Sequence, residues 1–241
     1  MILYPAIDIR EGRAVRLMQG DYERETAYDA DPAEAAARWA GEGAEYLHVV
    51  DLDGARAGEP RNLDSVRRIA DTVECPLQLG GGLRDRRSLE AAFEAGAARV
   101  VIGTAALRDP DFLAAALEAH GERVVVSVDS RDGKVSLAGW TEASEKGAAE
   151  AVAELADRGV GGLLYTTIEV DGTMEGPAID DLNEVAGSAP DASVIASGGV
   201  GTIEDLELLS RVAAPNVEGA IVGRAIYERR FTVAEGVAAL A

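Results

Sequence analysis

The chain has 241 residues, with 23 basic against 43 acidic side chains and a formal net charge of −20. That balance excludes a nucleic-acid binder, which needs a basic footprint, and opposes attraction to an anionic membrane. Apolar residues make up 47% of the chain, enough for a sizeable core, so one large domain or two small ones are expected rather than disorder.

In chain order, short β-branched runs are predicted as strands at 2–7, 46–50, 76–79, 99–102, 124–128, 162–165, 193–196 and 219–222. Ala-, Leu- and Glu-rich helical patterns separate them at 32–40, 63–72, 86–95, 111–120, 148–158, 203–210 and 233–240. Asp31-Pro32 places a capping acid before a proline in a first helical turn, and Thr202 caps another helix. Gly41, Gly96, Gly121 and Gly159 stand where helices should stop. The strands are nearly continuous apolar runs, as in a sheet covered on both faces. Eight such units of about 30 residues predict an α/β fold, a (β/α)8 TIM barrel. An open doubly wound sheet is disfavoured because no GxGxxG follows the first strand.

The two halves repeat each other at a spacing of about 120 residues. Ile7-Asp8 matches Val128-Asp129, Gly80-Gly81-Gly82 matches Ser197-Gly198-Gly199, and Ile102-Gly103-Thr104 matches Val222-Gly223-Arg224. The run from His48 to Gly54 is echoed loosely by the run from Tyr165 to Gly172. Neither half closes a barrel alone, so 1–122 and 123–241 are read as half-barrels of one domain.

Active sites on this fold lie at the C-terminal ends of the strands. Asp8 and Asp129 end opposite strands, so both carboxyls should face one cavity, one as general base and one as general acid. The glycine turns at Gly81, Gly82, Gly103 and Thr104, and at Gly198, Gly199, Gly223 and Arg224, let backbone N–H groups approach an anion. The pair after strands seven and eight is the usual phosphate site of this fold, and duplication implies a second. The expected ligand is therefore a small bis-phosphate molecule. Arg224 adds charge to its site or is a surface arginine.

Two long loops, 9–30 with Arg16 and Gly20 and 130–147 with Trp140, read as lids or binding loops, and Asp132-Gly133 in the second is a hairpin turn signal. Trp140 either stacks on a planar heterocycle or packs its own loop, whereas Trp39 belongs to the core. His48 reads as a core histidine, and Asp51 is open between a hydrogen-bonding role beside Asp8 and a structural one. Thr166 is placed to orient a substrate oxygen. His120 should be solvent-exposed and the lone Cys75 buried filler, which leaves no disulfide framework and no metal cluster. No apolar run nears the ~18 residues of a spanning helix and no signal peptide is visible, so the chain reads as cytoplasmic and monomeric. Lys134 and Lys146 are the only lysines; this suggests either a high-salt proteome, where repulsion is screened, or an acidic GC-rich mesophile.

Pro5-Ala6-Ile7-Asp8, Val15-Arg16-Leu17 with Gln19-Gly20, His48-Val49-Val50-Asp51-Leu52, Gly80-Gly81-Gly82, Gly139-Trp140, Asp171-Gly172-Thr173 and Ile221-Val222-Gly223-Arg224-Ala225 run in order across nearly the whole chain. Together they resemble the phosphoribosylformimino-AICAR-phosphate isomerases of histidine biosynthesis. The resemblance implies a (β/α)8 barrel of two half-barrels and a cofactor-free Amadori rearrangement. It makes Asp8 the base and Asp129 the acid. Thr166, Arg16 and Trp140 would hold the substrate, and the glycine turns with Gly176 would grip its phosphates. The related cyclase of imidazole glycerol phosphate synthase normally has cysteine at Ala6 and a lysine in the first loop, and this chain has neither. Dual-substrate relatives that also rearrange phosphoribosyl anthranilate usually carry serine where Gly80 stands. A non-catalytic phosphate-ligand sensor is the alternative outside enzymes, and retention of both aspartates opposes it.

Overall fold

The structure, a computed structural model, describes residues 1–29 and 31–241; Ala30, which ends the first predicted long loop, lies outside them. Eight parallel strands are β1 (Ile2–Arg10), β2 (Leu47–Asp51), β3 (Leu77–Gly80), β4 (Arg99–Ile102), β5 (Val124–Arg131), β6 (Gly162–Thr167), β7 (Ser193–Ser197) and β8 (Val217–Val222). They close into a barrel: Ile2 pairs with Gly219 between β1 and β8, and Leu163 with Val126 between β6 and β5. The helices that cover it are α1 (Pro32–Gly41), α2 (Leu63–Thr72), α3 (Arg86–Glu94), α4 (Pro110–His120), α5 (Ala148–Asp157), α6 (Ile179–Gly187), α7 (Ile203–Val212) and α8 (Val233–Leu240).

The apolar strand runs follow from this double coverage. On β1, Leu3, Ile7 and Ile9 pack outward under the helices, while Tyr4 and Ala6 join the smaller cluster inside the barrel. Successive side chains thus fall alternately into two apolar environments, and no polar face is left to break the run. Local capping sets the helix starts. The Asp31 side chain accepts from the Ala33 N–H ahead of Pro32, and Thr202 forms a reciprocal capping box with Asp205.

Several expectations change. The two long loops are antiparallel hairpins, Arg13–Met18 with Asp21–Asp29 and Lys134–Leu137 with Glu142–Gly147; only at Asp132-Gly133, between the paired Arg131 and Lys134, was a hairpin turn expected. They prolong β1 and β5 beyond the predicted ends, because Asp8 pairs with Val15 and Asp129 with Ser136. Helix α6 and the short helices Leu52–Ala57, Thr104–Arg108 and Arg224–Tyr227 were not predicted from the pattern. Gly41 stays inside α1, and Gly43 instead takes the positive φ of 96° past its end. His120 is half-buried against the Phe93 ring, with centroids 4.6 Å apart, and Cys75 is only partly buried. Trp39 is core, as expected.

The floor of the barrel is polar. Arg99 lies 4.5 Å from the Tyr46 ring centroid and donates to Glu218 at 3.1 Å and to the Tyr4 hydroxyl at 2.8 Å. Glu218 comes from β8 and Arg99 from β4, so one ion pair ties the two halves together. Among the described residues no helix is long and apolar enough to cross a membrane.

Candidate active site

A cavity of about 270 Å³ opens at the C-terminal ends of the strands. Asp8 and Asp129 line it from β1 and β5, which face each other across the eight-strand ring. Continuation of each strand into its hairpin holds the carboxyls at the mouth. Asp8 pairs with Arg16 of the first hairpin, Nη1 to Oδ2 at 2.9 Å. Trp140 of the second hairpin and Thr166, the register partner of Asp129 on β6, bring donors close enough to favour its ionised form.

Desolvation dominates the electrostatics. It lifts Asp8 from 3.8 to about 6, against the opposing pull of Arg16 and with help from the Asp171 charge. Asp129 is also raised by desolvation, with Asp171 adding to the rise and the Trp140 and Thr166 donors working against it. Asp171 is raised for the same reason, moderated by Arg16. Desolvation works against the Arg16 charge too, but Asp8 and Asp171 outweigh it. Two carboxyls, Asp8 and Asp171, therefore share one guanidinium. Asp171 lies beyond the end of its strand and is a site residue that strand ends do not reveal; its signal in the sequence is the Asp-Gly-Thr motif after β6, which the half-to-half match aligns with Asp53.

Arg16 has a second contact. A Cβ on Gly223 would collide with its guanidinium, so only glycine leaves room for the side chain there. Arg16 and Asp171 both line the main cavity and a smaller adjoining one, and stand between them.

The glycine turns divide between the two cavities. Gly81, Gly82, Gly103 and Thr104 line the main one, and Gly198, Gly199, Gly223 and Arg224 the smaller. Gly81 and Gly82 have φ of 103° and 76°, and Gly198 and Gly199 have 100° and 85°. Both turns thus use the left-handed conformation that favours glycine. Arg224 is engaged with Glu228 at 2.6 Å and the Gly172 carbonyl at 2.6 Å. Thr104 Oγ1 accepts from the Ala138 N–H at 2.9 Å, tying the second hairpin to its turn.

Three of the predicted site residues have further or different surroundings. Asp51 lines neither cavity among the described residues. Its oxygens accept from the N–H groups of Gly54, Arg61 and Asn62 and from the Asn62 amide, at 2.6–2.8 Å. It caps and braces the segment after β2. Gly176 also lines neither cavity; its N–H donates to the Gly199 carbonyl at 3.0 Å and supports that turn from behind. Gly20 lines the main cavity but also seats Trp140, since a Cβ there would lie 2.5 Å from the ring. His48 is buried as expected, yet it reaches the cavity wall. Among the described residues no group of three or more His, Cys, Asp or Glu is arranged to hold a metal ion.

Fold and cavity together define a (β/α)8 barrel with two opposed carboxyls at the mouth formed by its strand ends. The chain belongs to the histidine biosynthesis protein family, whose model matches residues 2–232, and it is an isomerase. A protein of Rubrobacter xylanophilus named 1-(5-phosphoribosyl)-5-((5-phosphoribosylamino)methylideneamino)imidazole-4-carboxamide isomerase is 51% identical over 238 residues, 99% of this chain and 96% of the relative. Proteins of the same name from Moorella thermoacetica and Rhodopseudomonas palustris are 47% and 46% identical. They are matched over 100% and 99% of this chain, and over 99% and 97% of their own lengths.

Proposed function

We propose that this isomerase rearranges the bis-phosphorylated aminoimidazole carboxamide named in its relatives, turning an aminoaldose into an aminoketose. The observation that carries the reading is the opposed pair: Asp8 on β1 and Asp129 on β5 flank one cavity bordered by glycine turns at both sides. A substrate with a phosphate at each end would place its ribose between the two acids. The acid protonates the ribose ring oxygen, and the C1′–O bond breaks to leave a protonated Schiff base. The base then removes the C2′ proton. The resulting enolamine takes a proton at C1′ and gives up the proton of its C2′ hydroxyl, so that C2′ becomes the carbonyl of the ketose. Oxidation at C2′ balances reduction at C1′, so this internal exchange calls for no external cofactor.

Asp8 suits the base, because the adjacent Arg16 stabilises its ionised form while desolvation makes it more basic than a free carboxylate. Asp129 suits the acid through its raised affinity for a proton. A second assignment gives the acid role to Asp171. Trp140 and Thr166 favour the charged form of Asp129, whereas among the described residues no side-chain donor bonds Asp171. Gly80 lines the same cavity and lacks the hydroxyl that dual-substrate relatives usually present, which favours a single substrate. The chain is taken to act as a monomer in the cytoplasm.

The test supplies purified protein with the bis-phosphate substrate and follows the change in absorbance. Turnover is expected, and Asp8→Asn should lower kcat by about 10²–10⁴-fold with the fold intact. Tight product binding without turnover by the unaltered protein would instead identify a sensor.

A further inference from the structure

A chain of side chains runs from the barrel floor to the cavity wall, and its donors and acceptors can be assigned from chemistry alone. Arg99 Nη2 lies 3.1 Å from Gln78 Oε1. A guanidinium has five donors and no acceptor, so the Gln78 atom facing it must be the amide oxygen. The other end of that amide, Nε2, is then a donor, and it lies 3.0 Å from His48 Nδ1. A ring nitrogen that accepts a hydrogen bond carries no proton, so the neutral ring must hold its hydrogen on Nε2.

Arg99 is itself held fast. It donates to the Tyr4 hydroxyl at 2.8 Å and to Glu218 at 3.1 Å, and Tyr4 donates to the same Glu218 oxygen at 2.6 Å. Gln78 is fully buried, so no water competes for its amide. His48 stays neutral: desolvation, with Arg16 above and Arg99 below, lowers it to about 3.

The free end of His48 faces the cavity. The ring lines the cavity wall, and among the described residues nothing accepts from its Nε2. Nor is that nitrogen among the sealed polar atoms that lack partners. In register, His48 lies beside Ala6, one inward-facing layer below Asp8 and Val50.

We propose that Gln78 and Arg99 are positioning residues that lock His48 as its Nε2–H tautomer, so that His48 offers one fixed, neutral hydrogen-bond donor to a sugar oxygen of the substrate. The proposal rests on the isomerase reading for its ligand. An Nδ1–H ring would present a lone pair to the cavity instead, and a hydroxyl oxygen gaining negative charge would be repelled. Glu218 belongs to the second half of the chain, so the second half sets the polarity of a first-half residue.

The tautomer can be read in the free, full-length protein by long-range 1H–15N correlation of the imidazoles. His48 and His120 are the only two histidines, and His120→Gln assigns the signals. His48 should show a protonated Nε2 and a bare Nδ1 between about pH 5 and 8, where a free histidine would titrate. Gln78→Glu presents only acceptors and should invert the ring to Nδ1–H. It should lower kcat about a hundredfold, the size expected for one preorganised donor, and leave KM within about twofold. If that variant does not fold, Arg99→Met frees the amide and should give mixed tautomers with reduced kcat. Arg99→Lys, again a pure donor, should restore a single tautomer and most of the lost rate. A wild-type Nδ1–H ring overturns the inference even with normal turnover, as does tautomer inversion with unchanged kcat. An Nε2–H ring in a protein without turnover overturns the isomerase reading alone.

Discussion

The segments after β2 and β6 occupy equivalent places in the two halves and use their acids in opposite ways. After β2, Asp51 and Asp53 are engaged by the scaffold: Asp51 accepts from Gly54, Arg61 and Asn62, and Asp53 from the Glu11 N–H and the Asn62 amide. At the end of β6, Thr166 lies beside Asp129 in register and favours its charge, and Asp171, after the strand, lines the cavity with Arg16. The glycine turns that follow β3 and β7 keep nearly the same φ values in both halves. A shared backbone frame therefore does not determine what a carboxylate does. What decides is whether local N–H groups have already filled its lone pairs.

The largest expected effects break this comparison directly. Asp129→Asn and Asp171→Asn should separate the two candidates for the acid: the true donor loses about 10²–10⁴-fold in kcat, and the other a much smaller factor. Equal, modest losses from both would remove the acid role from this cavity. Asp51→Ala should do the reverse of either. It leaves several buried N–H groups unpaired, which costs about 3 kcal/mol, or roughly 10 °C in Tm for a chain of this size. Its kcat measured well below melting should stay within about twofold, because the carboxylate lies outside the cavity. Calorimetry and steady-state rates on the three variants decide the matter.

The same contrast explains how much was legible beforehand. The barrel was readable because double-sided burial leaves an unbroken apolar signal at each strand, and because Asp8 and Asp129 stand at the ends of two such runs. The matched glycine turns were readable because a left-handed backbone selects glycine. The first hairpin was not, since Asp21–Asp29 is largely exposed and carries no apolar alternation, whereas Asp132-Gly133 marked the turn of the second, which Arg131 and Lys134 close. Asp51 and Asp171 could not be told apart, because the residues that occupy Asp51, namely Arg61 and Asn62, act mainly through backbone N–H groups that any sequence supplies. The link from His48 through Gln78 to Arg99 and Glu218 joins four separate strands, and nothing in sequence spacing marks it.

A smaller effect distinguishes Asp8 from an acid engaged by the scaffold. Its carboxyl moves from 3.8 to about 6 on folding, so between those values the folded state binds more protons than the unfolded chain. Stability then falls as pH rises through this window, by on the order of 3 kcal/mol in total. Asp8→Asn should flatten that slope in denaturant titrations run from about pH 4 to 7. The rate should move the other way, since the base must be ionised: kcat/KM rises with pH through about 6. A rate already constant below that value would show that some other group takes the proton.

The smallest effect concerns the two hairpins, which approach each other at Gly20 and Trp140. Gly20, with φ of 72°, lies beneath the Trp140 ring, and a Cβ there would come within 2.5 Å of it. Gly139, with φ of 64°, has nothing within 4 Å of the same added atom. Gly20→Ala therefore adds a clash to backbone strain, while Gly139→Ala adds strain alone, about 1 kcal/mol. If contact between the tips helps hold Trp140 on Asp129, Gly20→Ala should raise KM severalfold and shift the Trp140 fluorescence to the red. Gly139→Ala should change both less, with buried Trp39 as the constant background in each spectrum. Matching changes in the two variants would mean that loop strain, and not the seat beneath the ring, positions the indole.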